Sequence, residues 1–156
     1  MLVAGVDIGI HGAIALVDAE TLDLIEVHDM PTLSVNPPLL ADLIYRSHIG
    51  HAFVEHVGAR PGEGAVGAFA FGRSKGVVDG VLGAAGVPAT QITPPVWKRA
   101  IGLPTGKDGA KDAARSEAIR RWPSKASLFA RIKDDGRAEA ALIAVAGLMR
   151  LDAAAR

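Results

Sequence analysis

Cysteine is absent from all 156 residues. That excludes a disulfide framework and any zinc centre built on thiolates, and it agrees with a reducing compartment. Aromatic residues make up only 4 % of the chain, against 49 % hydrophobic residues overall. Packing must therefore rest on small and aliphatic side chains, and a disordered chain is excluded by the same composition. No apolar run reaches membrane-spanning length, and Met1 leads into an apolar strand without a basic leader segment. These absences predict one soluble cytoplasmic domain over residues 1–156, with no membrane association.

Net charge is also lacking: 17 basic residues balance 17 acidic ones. A zero sum argues against nucleic acid as a partner, but the distribution argues for it. Between residues 98 and 137 stand eleven lysines and arginines and five acids, whereas the first sixty residues are rich in acids. A basic surface beside an acidic patch follows, although a solvated amphipathic helix would account for part of the pattern.

The opening run LVAGVDIGIHGAIALVD places a charge where none is expected. Leu2 to Ile8 is apolar on both faces, as in a central strand covered on both sides. Gly9 and Gly12 supply a turn, and Ala13 to Val17 returns as the second strand of a hairpin. Asp7 interrupts the first strand, and a buried carboxylate must be protonated, paired or bound to a cation. A strand-end Asp bonded to turn amides is the plainer account of it.

Further elements follow in order. A third strand is predicted over 23–29, a helix from Pro38 to about His48, and a strand over 51–57 carrying a second misplaced charge, Glu55. A Gly-rich helix is predicted over 65–85, a short strand over 87–92, a turn of helix from Pro94, a basic helix over 108–122 ended by Pro123, and a buried helix over about 136–151. This order implies an α/β domain with a mixed sheet and helices on both faces.

Asp135 and Glu139 lie four residues apart at the start of the buried helix and share a face. Asp135 also fits an N-cap, and Glu139 is favoured near a helix N-terminus. Four carboxylates, Asp7, Glu55, Asp135 and Glu139, would repel one another unless cations lay among them. Their hard oxygen donors select magnesium or manganese over zinc. Two such ions could clamp the attacking and leaving oxygens of a phosphodiester, with no protein nucleophile needed.

Asp7 in VDIG, Glu55 in FVEHV and a late acidic pair opening an alanine-rich helix resemble the ribonuclease H-like superfamily, and within it the RuvC-type Holliday-junction resolvases. FGRSKGVVDGV and TPPVWKRAIGLPTGKDGAK extend the resemblance over most of the chain. It implies a ribonuclease H-like α/β fold and cleavage of four-way DNA junctions by a homodimer using magnesium or manganese. The four acids would be the metal ligands. Lys98 and Lys111 fall where that family has phosphate-contacting lysines, Lys111 near the scissile phosphate; Arg115 and Arg120 on the basic helix are expected to contact phosphates too. The family's last two acids are usually three apart. Position 136 is Gly, so Asp135 is offset by one and Asp134 remains the alternative ligand. The loop GARPGEG lacks an aromatic, which leaves Phe69 or Phe71 to engage the junction centre, although core positions suit both.

Other readings share these residues. VDIGIHGAIALVD also resembles the first phosphate loop of actin-like ATPases and sugar kinases, but 156 residues leave no room for their second domain and adenosine motif, so no nucleotide cofactor is expected. A nuclease acting on flaps, forks or RNA–DNA hybrids, or a non-catalytic module that binds branched DNA, would use the same fold. The small residues of the 65–85 helix, Gly72, Gly76 and Gly80, suit either a two-fold contact between copies or packing against the sheet.

Overall fold

The computed structural model describes residues 1–30, 36–58, 62, 64–105 and 110–155, with the backbone alone described at positions 110 and 111. Three strands come first: β1 (Leu2–Asp7), β2 (Ala13–Asp18) and β3 (Leu24–Asp29). Helix α1 (Pro37–Ser47) leads to β4 (Ile49–Glu55), then α2 (Ala65–Ala84) to β5 (Ala89–Ile92). Helices α3 (Pro94–Ile101), α4 (Ala110–Arg121) and α5 (Asp135–Ala154) complete the chain, with 3-10 turns over Pro123–Phe129 and Ile132–Asp134 between the last two. The sheet order is β3-β2-β1-β4-β5. β1 pairs antiparallel with β2 and parallel with β4, and β4 pairs parallel with β5, so the sheet is mixed.

Alternation along the strands divides the core in two. Val3 of β1, Ala13, Ala15 and Val17 of β2 and Phe53 of β4 join a core with α3, α4 and α5. Their neighbours Ala4, Val6, Ile14, Leu16, Ala52 and Val54 join the opposite core, under α1 and α2. A period of two makes this division, and it places Val3, Gly5 and Asp7 on one face of β1, with Phe53 and Glu55 on the same face of β4. Both acids thus belong to the face that α5 covers.

Helix α5 is buried along most of its length, from Asp135 to Leu148. It lies directly on the sheet because Gly5 has no side chain: a Cβ there would stand 2.0 Å from the Ala140 carbonyl oxygen. The other end of the molecule is looser. In α2 only Val78 and Leu82 are buried, both in the C-terminal half.

Most predicted elements lie within two residues of the observed ones, and the departures have local causes. β5 starts at Ala89 rather than residue 87, because Gly86 turns the chain at φ 68° and Val87 donates back to the Leu82 carbonyl. The predicted start of the basic helix at 108 lies outside the described residues; its last residue is Arg121 rather than 122. Asp135 is not an N-cap but the first residue of α5, preceded by Asp134.

Candidate nuclease site

Asp7 and Glu55 are the last residues of adjacent parallel strands, directly after the paired residues Val6 and Val54. The N-terminus of α5 meets this end of the sheet. A Cβ at Gly136 would stand 1.9 Å from the His11 carbonyl oxygen, so the helix abuts the β1–β2 turn. Asp135 and Glu139 flank that contact, one residue before it and three after. The fold therefore brings all four predicted acids to one end of one sheet face.

Protein donors already engage part of this set. Trp97, fully buried, donates its indole Nε1–H to Glu55 Oε1 at 2.8 Å. Lys98 places Nζ 3.7 Å from Glu139 Oε1 and 5.2 Å from the Trp97 ring centroid. Helix α3 thus sends consecutive residues to two of the four acids. A low-dielectric position strengthens both contacts relative to water.

Asp134 has a different environment from Asp135. Its carboxylate accepts the Arg131 backbone N–H at 2.9 Å and the Arg131 guanidinium at 2.8–3.2 Å. Burial pushes the Asp134 carboxyl up, but the Arg131 hydrogen bonds and charge outweigh it and hold it below the usual carboxylate range. These bonds consume the lone pairs a metal would need. Asp135, the first residue of α5, is 7 % exposed.

The donor set is all oxygen, which suits magnesium or manganese. The carboxylates are nonetheless not gathered into a finished cage: among the described residues no three His, Asp or Glu side chains stand close enough together to hold an ion. The donor chemistry fits a divalent cation, and closing on one would compete with Lys98 for Glu139.

The predicted phosphate contacts divide. Lys98 stands beside the acids. The Lys111 side chain lies outside the described residues. Arg115 is turned into the fold, donating to the Ala130 carbonyl at 3.2 Å and to Asp112, with its side chain 15 % exposed. Its guanidinium ties α4 to the turn before α5. Arg120 is forked onto Glu117 at 2.7 and 2.8 Å yet remains exposed. Phe69 is not a core residue, being 77 % exposed near the start of α2, whereas Phe71 packs against the α1–α2 core. Beside the site, a cleft of about 220 Å³ is lined by Ile10, His11, Gly12, Asp29, Arg131, Lys133 and Asp134.

No protein-family model and no curated protein matches the sequence. Solved structures do. A Thermus thermophilus RuvC in complex with Holliday junction substrate superposes with a TM-score of 0.70 over 98 % of this chain and 96 % of that one, at 18 % identity. The fold is that of the RuvC resolvases. A fowlpox virus resolvase, in a complex with substrate Holliday junction DNA, matches the RuvC-like fold equally well. Its TM-score is 0.70 at 15 % identity, covering 97 % of this chain and 99 % of that one.

Three features around these acids escaped the sequence reading: the Trp97–Glu55 bond, the Arg131–Asp134 lock, and a fork from Arg137 to Asp29 at 2.7 and 2.8 Å. The first had a signal, a tryptophan next to a lysine already singled out. The fork joins residues 108 positions apart and had none.

Proposed function

We propose that the chain is a metal-dependent endonuclease that resolves four-way DNA junctions as a homodimer. The observation that carries this reading is the delivery of Asp7, Glu55, Asp135 and Glu139 to one end of a sheet face, in a fold shared end to end with two junction-bound resolvases. Magnesium or manganese, held by these four carboxylates, would supply an activated water and offset charge on the phosphodiester.

The chain's own residues then have separable tasks. Trp97 fixes one oxygen of Glu55 and so selects the direction in which the other points. Lys98 holds Glu139 until a cation competes for it, and offers positive charge to a phosphate entering the site. Arg131 keeps Asp134 out of the ligand set. Lys111 is assigned a phosphate near the reacting group, and Arg120, exposed on α4, a phosphate farther away. Two cuts on strands of like polarity require two such sites.

The glycine face of α2 supports the two-fold contact. Cβ atoms built at Gly72, Gly76 and Gly80 meet nothing within 4 Å among the described residues, so no described neighbour packs on these glycines. Val66 and Phe69 beside them are 85 % and 77 % exposed. Phe69 is the residue we assign to the junction centre.

The test is cleavage of a synthetic four-way junction with and without magnesium. Paired, symmetric, magnesium-dependent nicks are expected, abolished by Asp7→Asn with binding retained. Cutting of flaps, forks or RNA–DNA hybrids in preference to junctions would reassign the substrate, and binding without cutting would leave a junction-binding module.

A further inference from the structure

The Arg137–Asp29 fork is exposed at its Asp29 end and half-buried at its Arg137 end, and Arg137 lies within two residues of Asp135 and Glu139 without pointing toward them. Successive residues on an α-helix are 100° apart, so Arg137 leaves α5 on the side roughly opposite both acids. It crosses to the last residue of β3, giving Nε to Asp29 Oδ1 at 2.7 Å and Nη2 to Oδ2 at 2.8 Å. Its side chain is 22 % exposed, and its Nη1 stands 3.8 Å from Asp134 as well. A two-bond fork fixes direction as well as distance, which a single ammonium contact does not.

The surroundings form one block. Met30, next to Asp29, donates its N–H to the Gly12 carbonyl at 2.8 Å. Gly12 belongs to the turn that follows Asp7, and His11 of the same turn touches Gly136 of α5. The bare Gly136 sets how closely the helix approaches that turn. That contact limits distance rather than rotation; Arg137 leaves the helix 100° around from Gly136 and adds a directional tie to Asp29.

We propose that Arg137, through its fork to Asp29, is a positioning residue that sets the rotation of α5 and thereby aims Asp135 and Glu139 at the cation shared with Asp7 and Glu55. The proposal deepens the nuclease reading and rests on its metal site. The strong hydrogen bond from Arg137 also holds the Asp29 carboxyl below its ordinary range, as a fork used in the folded state should.

The test uses the full chain and two readouts. Manganese binding to DNA-free protein is measured by calorimetry, and the magnesium midpoint for junction cleavage is measured at saturating DNA. Partners that orient metal ligands commonly change affinity or activity about 10–100-fold when removed. Arg137→Gln and Asp29→Asn should each weaken manganese binding and raise the magnesium midpoint by about ten-fold or more. The double variant should be no worse than either single one, and Arg137→Lys should fall between. Junction affinity without divalent ions should stay within about two-fold of wild type, since the fork touches no DNA in this scheme. Unchanged manganese affinity, or additive effects in the double variant, would overturn the proposal. So would a loss of junction affinity with the metal midpoint unchanged, which would make Arg137 a DNA contact, or unfolding of every variant, which would make the fork purely structural. A wild-type protein whose manganese binding depends on the fork but which cuts no branched DNA would leave the positioning role standing and remove the nuclease reading.

Discussion

At the scale of single residues, the two neighbouring aspartates at the start of α5 call for separate tests. Asp134 is 1 % exposed and accepts from Arg131, so Asp134→Asn strands the guanidinium and should cost about 1–3 kcal/mol of stability. The Arg131 hydrogen bonds hold the Asp134 carboxyl below the usual carboxylate range in the folded protein. Its contribution is therefore full above the unfolded pKa and is lost as pH falls through the lower folded one. Denaturant titrations should show the gap between wild type and Asp134→Asn shrinking below about pH 4. Asp135→Asn should do the reverse, leaving stability nearly intact and removing cleavage. Trp97→Phe keeps the ring but removes the donor to Glu55; we expect a fall in the cleavage rate of about ten-fold with junction binding unchanged. A rate equal to wild type would show that Glu55 needs no such partner.

Elements decide how those residues meet. α5 can lie against the sheet from Asp135 to Leu148 only because β1 offers Gly5 beneath Ala140 and Ala144. Gly5→Ala puts a methyl into backbone, which no rotamer relieves, and should cost at or above the upper end of the ~1–3 kcal/mol typical of overpacking. It should also lower metal-dependent cleavage among the molecules that still fold, since α5 carries two of the four acids. Thermal melts followed by cleavage at a temperature where both proteins are folded separate the two effects. α2 behaves differently, as a helix anchored through Val78 and Leu82 with a glycine face left open. A bulky charge there should leave the fold intact.

Over the whole molecule, the question is assembly on DNA. Gly76→Arg fills the open face of α2 with a cation, so we expect a monomer by light scattering, with melting temperature little changed and paired nicks replaced by single, uncoordinated ones. A Gly76→Arg protein that remains dimeric would move the two-fold contact elsewhere. Junction binding should weaken steeply with salt, because lysines and arginines from residue 98 onward displace counterions from phosphates. Arg115→Ala should contribute little to that salt slope, as its guanidinium is turned inward onto the Ala130 carbonyl; a slope reduced by a full unit would return it to the phosphate contacts.

The sequence by itself determined the strand and helix order and the two-sided cover of the sheet, and it singled out the four acids on which the proposed site rests. Strand alternation, turn glycines and an all-apolar helix are local signals, and a carboxylate among apolar neighbours stands out without a structure. What it could not determine was which groups satisfy those carboxylates. Arg137 meets Asp29 and Trp97 meets Glu55 across 108 and 42 positions, and no periodicity reports a contact of that range. The choice between Asp134 and Asp135 was open for the same reason: one residue along a helix start is a 100° change of direction. Only the packed position of Arg131 gives Asp134 its partner, which no local pattern announces.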